Sequence, residues 1–169
     1  FAQGNAGLLA ALAAAVVREA KAGEETTSAV ELYAGAGLFT LGLARHFDCV
    51  WAVESHPGAV SDLRFNLERA GASNVDVRPG PVERVLPQLS VHAPDTLVLD
   101  PPRAGVSQEA LELIQALRAR RIVYLSCDAA TLARDLGRLR DGGYRLGHVE
   151  AFDLFPHTPH VEVLTTLTL

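Results

Sequence analysis

The sequence contains no methionine, few cysteines and no apolar run long enough to cross a membrane. Its two cysteines, Cys49 and Cys127, lie far apart and lack the CxxC or Cys/His spacing of a metal site. Two separated cysteines also do not provide the dense disulfide framework of a small secreted domain. This pattern favours a reducing, cytoplasmic setting and indicates neither a metal site nor a membrane span.

The length and the charge limit what the chain can do alone. Its 169 residues, 49% of them hydrophobic, suit one domain over 1–169 with a substantial core. The formal net charge of -5 disfavours electrostatic binding of nucleic acid by this chain alone, because such affinity comes from neutralised phosphates. The start at Phe1 without any methionine predicts a piece of a longer protein, with partner-binding parts outside it.

Hydrophobic patterning predicts strands and helices that alternate along the chain. The predicted helices span 5–22, 37–46, 57–70, 82–89, 108–118 and 129–140. The predicted strands span 29–33, 49–53, 74–78, 95–99, 122–126, 144–151 and 161–169. This α/β alternation, closed by two successive strands, is typical of a mostly parallel seven-stranded sheet with helices on both faces and an antiparallel strand at the end.

One apolar run ends in Asp100, and Pro101 and Pro102 then prevent the strand from continuing. The carboxylate is therefore expected at the carboxyl end of a strand, where ligands bind in open α/β sheets. A turn-forming aspartate at a surface strand end explains the same residues equally well.

A glycine turn with Gly35 and Gly37 joins the first predicted strand to a helix. Glycines let the backbone approach a ligand closely, and the helix N-terminus offers free N–H groups. Glu54 ends the second strand, where its carboxylate can accept hydrogen bonds from both ribose hydroxyls. Because Thr40 replaces the third glycine of the dinucleotide fingerprint, S-adenosylmethionine suits the loop better than NAD.

Cys127 and Glu162 are candidates for the chemistry. Cys127 follows a strand tip at the same sheet edge as Asp100 and precedes a helix whose dipole favours the thiolate, although most free cysteines are inert. Glu162 begins a predicted edge strand and is a candidate proton acceptor. His157 and His160 are three residues apart without further ligands nearby, which disfavours a metal site.

Four stretches together resemble the motifs of RNA 5-methyluridine methyltransferases. They are F-x-Q-x-N at 1–5, D-P-P-R-A-G at 100–105, S-C-D-A-A-T-L-A-R-D at 126–135 and D-L-F-P-H-T-P-H-V-E at 153–162. The resemblance implies a Rossmann-like, class I S-adenosylmethionine-dependent fold and methylation of uridine C5 in tRNA or ribosomal RNA. It also implies upstream RNA-binding domains, and we expect a cytoplasmic monomer that binds RNA and has no metal in this domain.

The resemblance assigns roles to individual residues. Cys127 matches the nucleophile that adds to uracil C6, and Glu162 matches the base that removes the C5 proton. Phe1, which can stack on a flipped base, and Arg103 are assigned to the substrate. The cofactor-binding set comprises Gln3, Tyr33, Gly35, Gly37, Glu54 and Asp100.

The chain departs from the family pattern at Ala34, where family members often have cysteine, and at two places that bear on the site. Pro81 stands where family members often carry Asp or Asn against the adenine, and proline offers no side-chain hydrogen bond. Asp128 and Ala129 replace a frequent Asn-Pro pair. A carboxylate beside Cys127 is expected to raise the pKa of that thiol.

Other functions stay open at this point. A methyltransferase acting on an exocyclic amino group also uses a D-P-P turn, but it usually has an aromatic residue where Arg103 stands. A cytosine-C5 RNA methyltransferase would carry a cysteine in the turn that holds Pro101 and Pro102. A non-catalytic RNA-binding or nucleoside-binding domain would need neither Cys127 nor Glu162.

Overall fold

The computed structural model describes residues 6–23, 25–153 and 161–169. The strands in these ranges are β1 Ser28–Leu32, β2 Cys49–Glu54, β3 Val75–Pro79, β4 Thr96–Leu99, β5 Arg121–Ser126, β6 Arg145–Phe152 and β7 Glu162–Thr168. The helices are α1 Ala6–Ala20, α2 Thr40–Leu43, α3 Pro57–Ala70, α4 Val82–Val85, α5 Gln108–Leu117 and α6 Ala129–Asp141, with a 3₁₀ turn at Leu86–Gln88. The predicted alternation of strands and helices is confirmed.

The strands form one seven-stranded sheet in the order β3-β2-β1-β4-β5-β7-β6. Strands β1 to β5 are parallel, and β7 runs antiparallel to both β5 and β6. The order reverses between β1 and β4, and ligands of open α/β sheets bind in the crevice at such a point. The sheet is therefore mixed in direction, as the closing pair of strands predicted.

Strand β7 lies inside the sheet, so the prediction that Glu162 begins an edge strand was wrong. Most residues of β7 are buried, whereas β6 is exposed along most of its length and forms the edge. The chain turns back after β6 and inserts its last strand between β6 and β5. The periodicity of a single strand carries no information about which neighbours it pairs with.

Helices cover both faces of the sheet, as predicted. Successive strand residues point to opposite faces, so Val98 in β4 packs with α1 while Leu97 and Leu99 pack with α5. The first face buries Leu12, Val16, Ala29, Val50, Val98, Val123 and Leu164. The second face buries Leu32, Leu97, Leu99, Leu111, Ile114, Ile122, Tyr124, Leu132 and Leu139.

Two helices are shorter than predicted. Helix α2 covers only Thr40–Leu43, because the chain before it is occupied by the glycine turn and the chain after it continues in tighter turns. Helix α4 ends at Val85, because Pro87 has no N–H with which to continue the helical ladder. Both helices remain next to the sheet edge at which the predicted ligand-binding residues lie.

Candidate functional site

The fold brings the described site candidates to one edge of the sheet. Tyr33, Glu54, Asp100 and Cys127 end or directly follow β1, β2, β4 and β5, which run in parallel. Glu162 begins β7, whose antiparallel direction places its first residue at the same edge. These predicted residues therefore come together through the topology of the sheet.

Cys127 and Glu162 are neighbours through the pairing of β5 with β7. Ser126 is paired with Val163, so the next residue of β5 and the preceding residue of β7 extend from the same end of the ladder. Glu162 is only 7% exposed, and burial raises the pKa of its carboxyl. A thiol and a carboxyl group with raised proton affinity therefore face the same edge of the sheet.

The pKa of Cys127 is raised, first by burial and then by the negative charge of Glu162. Its own backbone N–H and Arg103 lower this pKa, and Asp100 raises it further. The net shift of this pKa is therefore upward, although a helix whose dipole favours the thiolate follows Cys127. Desolvation and two nearby carboxylates outweigh the groups that favour the thiolate.

Asp128 does not act on this thiol as the sequence suggested. Its side chain caps α6 and accepts hydrogen bonds from the N–H groups of Ala130 at 3.1 Å and Thr131 at 2.9 Å. The bond from the Thr131 backbone is the largest influence that lowers the pKa of Asp128. Arg103 lies alongside, with 3.6 Å between its Nε and Asp128 Oδ2, and its side chain is 65% exposed.

Asp100 is the second carboxyl group of the edge with a raised pKa. Burial, and after it the charge of Glu162, raises its pKa to about 7. Near neutral pH this side chain is therefore present in both its acid and its carboxylate form. It can donate or accept a hydrogen bond toward a ligand in the crevice.

The glycine turn is organised by Glu54. The N–H of Gly35 donates to Glu54 Oε2 at 2.8 Å, and the N–H of His56 donates to Oε1 at 2.7 Å. Gly37 has a φ of 94°, and a Cβ added there would lie 2.5 Å from Leu63 Cδ1, so glycine is required by both conformation and space. Each oxygen of Glu54 keeps acceptor capacity for a further donor.

A pocket of about 160 Å³ lies beside this turn, at the ends of β1, β2 and β3. Its lining residues are Tyr33, Val53, Ser55, Gly80, Pro81, Val82 and Glu83. Burial, with a smaller effect of Glu83, raises the pKa of Tyr33 to about 12, so the phenol is neutral. Pro81 thus lines the pocket, as its sequence position suggested, and the serine hydroxyl and the Glu83 carboxylate are polar groups available there.

Glu31 is a site candidate to which the sequence reasoning assigned no role. It is 1% exposed, and Thr40 Oγ1 donates to its Oε2 at 2.6 Å. Its Oε1 has no hydrogen-bond partner among the residues that the structure describes. Burial raises the pKa of this carboxyl to about 8, and Asp100 and Glu54 add to the increase. A charged residue within an otherwise apolar strand was the signal available in the sequence.

The remaining predictions lie outside the described residues or concern a metal. Phe1, Gln3, His157 and His160 fall in the parts of the chain that the structure does not describe. Within residues 6–23, 25–153 and 161–169, no group of three or more His, Cys, Asp or Glu side chains could hold a metal ion. In the same ranges, no helix combines the length and the apolar character of a membrane span.

Comparison with known proteins identifies the family. The family model described as tRNA (uracil-5-)-methyltransferase matches residues 86–168. An uncharacterized RNA methyltransferase of Streptomyces avermitilis is 46% identical over 142 residues, which cover 82% of this chain and 32% of that protein. One of Gloeobacter violaceus is 45% identical over 156 residues, or 92% of this chain and 33% of that protein.

The chain belongs to the tRNA (uracil-5-)-methyltransferase family. Among solved structures, the tRNA (uracil-54, C5)-methyltransferase of Pyrococcus abyssi in complex with S-adenosyl-L-homocysteine superposes with a TM-score of 0.86. It is 30% identical, and the match covers 99% of this chain and 40% of that one. The chain thus spans about a third of the length of the two relatives above.

More distant structures share the fold alone. A methyltransferase of Aquifex aeolicus described as SAM-dependent is 14% identical with a TM-score of 0.71, over 98% of this chain and 95% of that one. The expected class I S-adenosylmethionine-dependent methyltransferase fold is thereby confirmed. The buried carboxyl groups, the glycine turn and the pocket lie at the carboxyl ends of the parallel strands of this fold.

The Glu31→Gln variant should change how stability depends on pH. The pKa of Glu31 in the folded protein, about 8, lies above its value in the unfolded chain. The contribution of this group to the free energy of unfolding is therefore fully present below the unfolded-state pKa and is lost as pH rises through the folded-state pKa. Glutamine keeps an acceptor for Thr40 but does not titrate. Urea unfolding from about pH 5 to pH 8 should show the wild type losing on the order of a few kcal/mol relative to the variant. Parallel profiles would contradict the raised pKa.

The Glu162→Gln variant should make Cys127 more reactive. Removing the carboxylate charge lowers the thiol pKa, because Glu162 raises it in the wild type. The measurement is alkylation by iodoacetamide as a function of pH, followed at each cysteine by peptide mass spectrometry. Cys49 begins β2 at the opposite end of the sheet and serves as the internal control. An unchanged Cys127 profile would show that the two side chains do not interact.

Proposed function

We propose that the protein methylates C5 of a uridine in RNA, with S-adenosylmethionine as the methyl donor and Cys127 as a covalent nucleophile. The observation that carries this proposal is the adjacency of Cys127 and Glu162 at the paired ends of β5 and β7. Methylation of an exocyclic amino group would use neither residue in this way. Family membership and the relatives named as RNA methyltransferases support an RNA substrate, either tRNA or ribosomal RNA.

The residues present fit S-adenosylmethionine. The unpartnered Oε1 of Glu31 suits a donor such as the ammonium group of the methionine moiety. Glu54, with spare acceptor capacity beside the glycine turn, suits the ribose hydroxyls. The pocket with Tyr33 and Pro81 is lined largely by apolar surface and suits the adenine ring. When bound, the cofactor would supply an electrophilic methyl group at the sheet edge that holds Cys127.

Cys127 provides the activation that uracil requires. C5 of uracil is a poor nucleophile, and a thiolate that adds to C6 pushes electron density toward C5. The raised pKa of Cys127 means that the thiol must lose its proton as it attacks, so the reaction needs a proton acceptor close by. Asp100, whose charge acts on this thiol, is the acceptor proposed for this proton, and Glu162 stays a carboxylate for the later step.

Glu162 suits the second proton transfer. After methylation the adduct still carries the C5 proton, which must be removed before the cysteine can leave. Burial raises the pKa of Glu162 and makes its carboxylate a stronger base than an exposed glutamate. Asp100, with a pKa of about 7, can donate a hydrogen bond to a uracil oxygen that gains charge during the addition.

The cellular setting is part of the proposal. A nucleophilic cysteine must stay reduced, and this requirement favours the cytoplasm.

Phe1 and Arg103 are proposed to contact the RNA, Phe1 by stacking on a flipped base and Arg103 through its exposed guanidinium beside Cys127. Gln3 is proposed to contribute to the cofactor site.

The intact protein should form a covalent complex with 5-fluorouridine-substituted RNA in the presence of S-adenosylmethionine. Fluorine cannot leave as a proton, so the adduct stalls and should map to Cys127 by denaturing gel and mass analysis. Cys127→Ala should form no adduct and retain cofactor binding, and Cys49→Ala is the matched control that should still form it. If the wild type binds the cofactor but forms no adduct, the uridine C5 mechanism is contradicted.

Glu162→Gln should accumulate a covalent complex with ordinary uridine-containing RNA. Without the carboxylate the C5 proton stays on the methylated adduct, and the Cys127–C6 bond persists. The complex should be visible on denaturing gels with S-adenosylmethionine present and carry the transferred methyl group. Slow turnover without a trapped complex would mean that another residue removes the C5 proton.

A further inference from the structure

Side chains of α6 hold the turn that follows Asp100. Thr131 Oγ1 lies within hydrogen-bond distance of two carbonyl oxygens, that of Arg103 at 3.2 Å and that of Asp128 at 3.1 Å. Arg134 Nη2 donates to the carbonyl of Ala104 at 3.0 Å. The same Nη2 reaches the carbonyl of Val106 at 3.3 Å. The backbone of residues 103–106 is thus bound to α6 through three of its carbonyl groups.

Asp135 holds the same turn from the buried side. It is 0% exposed, and its Oδ2 accepts the N–H of Val106 at 2.9 Å and the hydroxyl of Tyr124 at 2.7 Å. Its Oδ1 accepts Arg134 Nε at 2.8 Å. The fit is tight, because a Cβ added at Gly105, whose φ is 76°, would lie 2.6 Å from both Arg134 Nη2 and Asp135 Oδ2. Burying a carboxylate is costly unless it is paired and hydrogen-bonded, as this one is.

The helix that holds the turn also follows the proposed nucleophile. Cys127 and the capping Asp128 directly precede α6, and Thr131, Arg134 and Asp135 lie on its first two turns. Arg103 is therefore fixed to α6 at two points, by its carbonyl to Thr131 and by its side chain to Asp128 at 3.6 Å. Any slip of the turn along α6 would change the distance between Arg103 and Cys127.

We propose that Arg134 and Asp135 are positioning residues, which hold the turn 103–106 so that the guanidinium of Arg103 stays beside Cys127. Their effect on methylation rests on the proposed function, whereas the arrangement itself can be measured without RNA or cofactor. The groups that act on Cys127 are Glu162 from β7, Asp100 after β4, Arg103 from the turn and its own backbone N–H, with Asp128 next to it. Arg103 is the positive charge among them and lowers the thiol pKa.

The test uses Arg134→Gln in the intact protein. This change removes the positively charged partner of Asp135 Oδ1, so urea unfolding first establishes that the variant is folded. The bonds from Tyr124 and Val106 to Asp135 Oδ2 do not involve Arg134. Alkylation of Cys127 by iodoacetamide is followed against pH, with Cys49 as the internal reference. The profile should shift to higher pH and the rate near neutral pH should fall several-fold, as in Arg103→Gln. Arg134→Lys, which keeps the positive charge beside Asp135 and a longer side chain with donors for the turn, should reverse part of the shift.

The double variant Arg103→Gln/Arg134→Gln decides how Arg134 acts. If Arg134 works only by holding Arg103, the double variant should match Arg103→Gln alone. Additive shifts would overturn the proposal, because Arg134 would then act on Cys127 directly. An unshifted profile for a folded Arg134→Gln would overturn it as well.

Tyr124→Phe is the matched control for a purely structural effect. It removes one of the two hydrogen bonds to Asp135 Oδ2 and leaves in place the groups of Arg134 and Asp135 that bind the turn. It should lower the free energy of unfolding and leave the Cys127 profile unchanged. A shift as large as that of Arg134→Gln would mean that general loosening, and not the hold on the turn, sets the thiol pKa.

Methylation assays separate this proposal from the proposed function. With RNA and S-adenosylmethionine, Arg134→Gln should lower kcat and leave KM for the cofactor unchanged, since the cofactor residues Glu31 and Glu54 lie on other strands. If the wild type itself shows no methylation, the proposed function fails and the alkylation profiles still decide the role of Arg134. A raised cofactor KM with unchanged kcat and an unchanged profile would overturn the positioning role.

Discussion

The pairing of β5 with β7 is the constraint on which the site depends. Because β7 enters the sheet antiparallel, its first residue rather than its last reaches the carboxyl edge of β5. That reversal brings Glu162 to Cys127 although 34 positions separate them in the chain. A parallel final strand would have placed Glu162 at the opposite edge, far from the thiol.

The same edge concentrates carboxyl groups that are difficult to ionise. Burial raises the pKa of Glu31, Asp100 and Glu162, and each of the first two is raised further by another carboxylate of the cluster. An isolated buried carboxyl group lowers the free energy of unfolding, because nothing compensates for its desolvation. Clusters of carboxyl groups with raised pKa occur at functional sites. In the proposed function, Asp100 and Glu162 are proton acceptors and Glu31 is a hydrogen-bond acceptor for the cofactor.

One segment of the chain links the pocket beside the glycine turn to the proposed nucleophile. Ser107, which caps α5, donates through its hydroxyl to Glu83 of the pocket at 2.6 Å, and it directly follows the turn that Arg134 and Asp135 hold. The turn after Asp100 is therefore tied to α4 beside the pocket and to α6 behind the nucleophile. The segment thus borders both regions, and it contacts them through different residues.

The sequence by itself determined the alternation of elements, the glycine turn and the residues that end the strands, because these follow from local periodicity and from residues such as Pro101 that stop a strand. It also carried the motifs by which Cys127 and Glu162 were proposed. Only the tertiary structure decided that β7 is an interior strand, that Asp128 caps α6 and that one oxygen of Glu31 has no partner within the described part of the chain. These features depend on contacts between distant segments, and a pattern read along one strand or helix does not specify its partners.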